Sequence, residues 1–282
     1  MPALSRRAEI IPSSPIRKLV PFAEGAKAEG THVYHLNIGQ PDLETPPAYW
    51  EAIEQADLKV LAYSHSAGHI SVRTAIANYY GDLGYPLNTD QVIVTTGASE
   101  ALSFVFAACM NPEDEIIIPE PFYANYNSFS IFTNAKVIPL KTSILDGFAL
   151  PPIEEFEKLI TPRTKAIMIC NPGNPTGILY PKESLEKLKE IVMKLDLYLI
   201  ADEVYREFAY DGLKHHSVLE LERAEQNVIV TDSISKRFSA CGARIGCVVS
   251  HNEDVMGAVM KLAQARLTPP TLEQIGAAAE YQ

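Results

Sequence analysis

A lysine, three serines and two arginines gather in one short stretch, Ser233-Ile-Ser-Lys236-Arg-Phe-Ser-Ala-Cys-Gly242-Ala-Arg244-Ile-Gly246, between two apolar runs. Arg244 follows Lys236 by eight residues, and Gly242 and Gly246 flank it. An amine condenses with a carbonyl to give a Schiff base. A guanidinium beside hydroxyl and backbone donors holds a phosphate through charge-assisted hydrogen bonds. Together these groups suit a carbonyl compound that carries a phosphate. Lys236 alone would read as a solvated surface cation; the donors around it are what give it chemistry.

Further groups fall at similar points of the chain. Thr96-Gly97-Ala98-Ser99-Glu100 joins an apolar run to a helical pattern, where small residues let the backbone approach an anion and a helix start offers free N–H groups. A helix capped by Ser99 is the structural alternative. Asn171-Pro-Gly-Asn174-Pro-Thr-Gly177 is so rich in turn formers that it forms a shaped loop. Asp202 follows Leu197-Tyr-Leu-Ile200, so it is expected at a buried strand end, where an unpaired carboxylate is costly and calls for a cation. For Asp202 and Tyr205 the alternatives are a helix cap and a core phenol. Tyr123, after Glu120-Pro-Phe, reads equally as a core aromatic. His215 and His216 have no partners at metal-ligand spacing and read as surface residues. Cys109, Cys170, Cys241 and Cys247 form no CxxC pair and read as reduced thiols.

The elements that must position these groups alternate. Apolar strand-like runs at 91–95, 115–118, 136–140, 165–170, 197–201, 227–231 and 245–250 are interleaved with helical patterns at 98–110, 123–132, 182–195 and 253–265. Near-continuous Val/Ile/Leu strands between helices indicate a three-layer α/β/α domain with a mostly parallel sheet. Ligands in such sheets lie beyond the carboxyl ends of the strands, and the chemically distinctive residues all follow strand ends. Before this region, 16–28 has helical spacing and Val33–Ile38 resembles a short strand that breaks at Gly39.

Of the 282 residues 47% are apolar and 21% charged, which excludes disorder of the whole chain. A formal charge of −11 argues against nucleic acid as a partner. No run reaches the ~18 apolar residues of a membrane span, and the N-terminus lacks the pattern of a secretory signal. A soluble, cytoplasmic protein is expected, with no membrane partner.

In this order the motifs resemble those of the class I/II aminotransferases of PLP fold type I, from about Pro12 to the last residue. Ser239-Ala-Cys-Gly-Ala-Arg-Ile-Gly246 and Ala265-Arg-Leu-Thr-Pro-Pro-Thr-Leu-Glu-Gln-Ile-Gly276 are most similar to bacterial aspartate aminotransferases. The resemblance implies pyridoxal 5′-phosphate (PLP) as cofactor. Lys236 then carries the Schiff base and moves the proton, Asp202 pairs with the pyridine nitrogen, and Tyr205 and Asn174 meet the 3-oxygen. Tyr123 stacks on the ring, and Gly97, Ala98, Ser99, Ser233 and Arg244 hold the phosphate. Gly39, with Asn174, is implied at the substrate. Tyr63 is implied to reach the phosphate of a second subunit, hence a homodimer, although His-Ile-Ser-Val between Gly68 and Arg73 departs from the family pattern.

The implied reaction moves an amino group between an L-amino acid, aspartate favoured, and a 2-oxo acid such as 2-oxoglutarate. A PLP-dependent lyase of the same fold and a non-catalytic PLP-binding fragment are the alternatives. Residues 1–45 are expected to form an N-terminal arm and part of a small domain, and 46–282 the large PLP-binding domain. Family members continue beyond this length, so the rest of the small domain, with an arginine for the substrate carboxylate, is expected to be absent; the chain stops at Gln282 within a helical pattern.

Overall fold

Strand segments such as Ala166-Ile-Met-Ile169 are apolar at consecutive positions, so both faces of the sheet they build must be covered. The computed structural model, which describes residues 2–281, shows that arrangement; Gln282, where the last helical pattern is expected to continue, lies outside the described residues. Seven strands, β1 (Val92–Thr95), β2 (Glu115–Glu120), β3 (Lys136–Lys141), β4 (Thr164–Cys170), β5 (Tyr198–Asp202), β6 (Val228–Ser233) and β7 (Gly246–Val249), form one sheet. Its order is β1-β7-β6-β5-β4-β2-β3. Every pairing is parallel except those of β7, which runs against both neighbours. The α/β reading with a mostly parallel sheet is therefore borne out.

The helices are α1 (Arg6–Ile10), α2 (Val20–Ala28), α3 (Pro47–Glu54), α4 (Ile70–Asp82), α5 (Gly97–Cys109), α6 (Asn125–Thr133), α7 (Ile153–Glu157), α8 (Lys182–Leu195), α9 (Ile234–Arg237), α10 (Glu253–Arg266) and α11 (Thr271–Glu280). Successive strand residues feed opposite layers. Ile167, Leu199 and Val230 join one buried cluster with Ile76 of α4, Leu188 of α8 and Ala277 of α11. Met168, Ile200 and Ile229 join the other, with Leu102 of α5, Phe129 of α6 and Val259 of α10. Each such side chain contributes about 1.5–3 kcal/mol on burial. In α8 the buried residues Leu185, Leu188, Ile191 and Val192 recur at helical spacing, which leaves its charged residues to the solvent side.

Two parts of the sequence reading change. Val33–Ile38 is not a strand: its local hydrogen bonds, Leu36 N to Tyr34 O and Gln40 N to Ile38 O, belong to turns, and Tyr34 and Leu36 are exposed. A strand needs a neighbour to satisfy its backbone, and among the described residues none pairs with this segment. Conversely α3 and α4 form where no helix was expected. Val72, Ile76 and Tyr80 line the buried face of α4 at four-residue intervals, and Tyr49 of α3 lies against Gly276 of α11. Helices α1 and α2 contain no buried residue. Among the described residues no helix is long and apolar enough to cross a membrane.

The antiparallel β7 brings its first residue against the start of α5. A Cβ on Gly246 would lie 2.6 Å from the carbonyl carbon of Gly97, 2.7 Å from Ala98 N and 2.7 Å from Asp232 O. All three are backbone atoms that cannot swing aside. Gly246→Ala is therefore expected to lower stability by about 1–3 kcal/mol or more, seen as a lower urea midpoint with an unchanged slope. An unchanged midpoint would show that β7 and α5 can separate without loss.

Candidate active site

The carboxyl ends of β4, β5 and β6, the start of α5 and the turn before β7 converge on one place. Asp202 ends β5 and is 5% exposed. Its Oδ2 accepts a hydrogen bond from Tyr126 Oη at 2.8 Å, and its Oδ1 one from Val204 N at 3.4 Å. No cation pairs with it among the described residues. Burial, opposed by the Tyr126 and Val204 hydrogen bonds, pushes its pKa up to about 6. The expected strand-end carboxylate is there, and the expected cation is not supplied by the protein.

Lys236 stands at the far side. It lies in the short helix α9, and its Nζ donates to Gly39 O at 2.5 Å, with Cys241 Sγ 3.8 Å away. Gly39 in turn faces Tyr205, since a Cβ on it would come 3.5 Å from the phenol oxygen. Asn174 Nδ2 donates to that oxygen at 3.2 Å. Lys236, Gly39, Tyr205 and Asn174 thus form one continuous chain of contacts. The loop that carries Asn174 is anchored by buried Asn171, whose Oδ1 accepts from Tyr180 N at 2.9 Å and whose Nδ2 donates to His216 O at 3.1 Å. Burial raises the Tyr205 phenol, keeping it a neutral donor.

Gly97 and Arg244 define the opposite wall. Gly97 has φ +75°, and a Cβ there would lie 2.8 Å from Arg244 Cζ. The guanidinium therefore rests on the bare backbone where α5 presents free N–H groups. Arg244 itself sits at φ 55° and is steadied by a hydrogen bond from Nη1 to Cys241 O at 2.9 Å. Guanidinium, helix start and missing side chain together make an anion cradle.

The remaining expected residues are placed as follows. Ser99 is exposed and does not cap α5; Thr96 is the N-cap residue, and Glu100 Oε2 accepts from its N–H at 2.8 Å. Ser233 is buried: its hydroxyl donates to Ile245 O at 2.9 Å and accepts from Ser235 N at 3.0 Å, so it caps α9 and its proton is already engaged. Tyr123 is half-buried and meets Tyr126 edge-on, 5.5 Å between ring centres. Tyr63 is 80% exposed. His215 is not a surface residue: its side chain is 10% exposed, with Nε2 3.2 Å from Asn171 O, and burial lowers its pKa. The four cysteines are free thiols.

Tyr126 escaped the sequence reading. It is fully buried and is the direct partner of Asp202, and its only signal was its position one helical turn after Tyr123.

A raised carboxylate pKa has a definite consequence for stability. The charged form is disfavoured in the fold, so Asp202 costs stability that grows as pH rises through about 6 and is absent well below 4. Asp202→Asn in cofactor-free protein is therefore expected to be more stable at pH 8, by on the order of 3 kcal/mol at most, seen as a higher melting temperature. The advantage should shrink toward pH 4 and vanish well below it. A variant that is less stable than the parent at both pH values would contradict an unpaired buried carboxylate.

Comparison with known proteins gives a consistent result. Residues 31–280 match the family model described as aminotransferase class I and II. The aspartate aminotransferase of Bacillus subtilis is 32% identical over 282 residues, covering 99% of this chain and 71% of that protein. The aspartate/prephenate aminotransferase of Thermus thermophilus is 31% identical over 280 residues, covering 97% and 71%. Among solved structures, an aspartate aminotransferase from Thermus thermophilus with maleate superposes with a TM-score of 0.92 at 30% identity, covering 100% of this chain and 73% of that one. One from Thermotoga maritima gives 0.93 at 32% identity, covering 99% and 74%.

Proposed function

Because the chain belongs to the class I and II aminotransferases, we propose that the cluster around Asp202 and Lys236 is a PLP site and that the substrates are an L-amino acid, aspartate first, and a 2-oxo acid. The observation that carries this reading is the buried Asp202 carboxylate, which has a phenol and a backbone N–H but no cation. A protonated pyridine nitrogen would fill that need.

The other residues fit the same group. Arg244 and the α5 start at Gly97 and Ala98 would hold its phosphate, with Ser99 at the rim and Ser233 fixing the turn beneath. Asn174 and Tyr205 would meet its phenolic oxygen, and Tyr123 would cover its ring. Lys236 is the amine that would anchor it. PLP, when bound, supplies a carbonyl that takes up amines and an electron-poor ring that stabilises negative charge at the neighbouring carbon.

The protein's own groups do the remaining work. Lys236 is positioned to hold and return a proton at the substrate carbon. Gly39 O accepts from its amine and so directs it. Asp202, with its charge confined by burial, keeps a bound cation protonated, and Tyr126 orients the carboxylate. The aspartate preference rests on the names of the Bacillus and Thermus relatives. We assign residues 46–282 to the cofactor-binding unit and 1–45 to an arm and part of a small domain, on the ground that α1 and α2 bury nothing of their own. Exposed Tyr63 is the group assigned to a second subunit in a homodimer.

Borohydride reduction of protein incubated with PLP, followed by peptide mass mapping, is expected to place one pyridoxyl group on Lys236. Amine transfer from aspartate to 2-oxoglutarate is measured alongside. Label on Lys182 or Lys261, or release of pyruvate and ammonia from a β-substituted amino acid such as serine with no amine transferred from aspartate to 2-oxoglutarate, would overturn the reading.

A further inference from the structure

Helix α9, which carries Lys236, has four residues, far too few to hold its shape alone. One carboxylate ties both of its ends. Asp232 Oδ1 accepts from Ser233 N at 2.7 Å at the entry, and its Oδ2 accepts from Arg237 Nη2 at 2.8 Å at the exit. Lys236 lies within this loop, next to Arg237.

Arg237 is buried, with both terminal nitrogens of its guanidinium engaged. Its side chain is 5% exposed. Nη1 donates to Tyr281 Oη at 3.0 Å, the guanidinium lies 4.4 Å from the centre of the Tyr79 ring, and Glu207 is 3.6 Å from Nε. Tyr80 Oη donates to the same Asp232 oxygen at 3.2 Å, and Arg206 lies 4.3 Å from the centre of the Tyr80 ring. Burial alone would raise the Asp232 pKa, but Arg237 and Arg206 outweigh it and keep the carboxylate charged. Neighbouring helical residues project about 100° apart. With Arg237 locked into the interior by a planar fork and stacked aromatic, Lys236 leaves the helix on another side, where its amine reaches Gly39 O.

We propose that the buried Asp232–Arg237 pair is a clamp on the Lys236 turn, with Arg237 a positioning residue that fixes the direction of the Lys236 amine. The inference rests on the reading of Lys236 as the cofactor anchor. The Arg237 side chain meets Asp232, Tyr281, Tyr79 and Glu207, none of them a residue assigned to the cofactor; it acts through the backbone that it shares with Lys236.

The test compares wild type, Arg237→Gln and Arg237→Lys, each loaded with PLP. Borohydride mapping of the wild type comes first; label on Lys236 supports the anchor independently of the clamp, and label elsewhere overturns both. The readouts are then the pH midpoint of the bound cofactor's visible absorption band, the rate at which hydroxylamine releases the cofactor, and kcat with KM. Arg237→Gln is expected to move the midpoint by about one pH unit. It should also speed release and lower kcat on the order of tenfold or more with little change in KM. Arg237→Lys keeps the charge but loses the fork and the stacked plane, and should fall between. A Gln variant with wild-type midpoint, release rate and kcat, even at a lower melting temperature, overturns the clamp. Should the Gln variant not fold, wild-type values in all three readouts for Arg237→Lys overturn it equally.

Discussion

Two carboxylates buried at the ends of adjacent strands meet opposite fates, and the site depends on the difference. Asp232 on β6 has Arg237 against it and Arg206 nearby, so it is held ionised inside the fold. Asp202 on β5 has only a phenol and a backbone N–H, and burial drives its pKa up to about 6. An interior carboxylate without a counter-charge is costly unless something arrives to balance it. The first aspartate stabilises the architecture beneath Lys236; the second leaves a demand that a bound cation would meet.

The sheet turns that demand into a geometry. Parallel strands β4, β5 and β6 bring Asn171, Asp202 and Ser233 to one edge, and β7 returns antiparallel so that Arg244, just before it, comes to the same edge. Two glycines permit the final approach. Gly246 lets β7 press on the backbone at Gly97, and Gly97 lets the guanidinium rest where a side chain would stand. Relatives that share this fold are named as aminotransferases, in agreement with an amine, an anion cradle and an unbalanced carboxylate facing one another.

Much of this was legible in the sequence because local patterns carried it. Strands buried on both faces are near-continuously apolar, so the central ones announced themselves; edge strand β3, largely unburied, did so only through Val137, Ile138 and Leu140, and the Ser233–Gly246 stretch through its donors. What was hidden depended on contacts between distant segments. Nothing near Tyr126 says that its phenol reaches Asp202, and nothing near His215 says that the loop at Asn171 covers it. Val33–Ile38 has the composition of a strand, but its structure depends on a neighbour that its own residues do not specify. Ser99 looked like a helix cap, yet the helix begins earlier, and Glu100 reaches back to the Thr96 N–H instead.

The insertion of β7 between β1 and β6 also makes the anion cradle depend on segments far apart in the chain. Gly97 follows β1 and Arg244 precedes β7, and β7 pairs with β1 on one side and β6 on the other. The anion cradle is thus a long-range junction, closed by the slowest kind of contact to form. A phosphate held there would act as a latch, weighting the ensemble toward molecules in which this junction is closed.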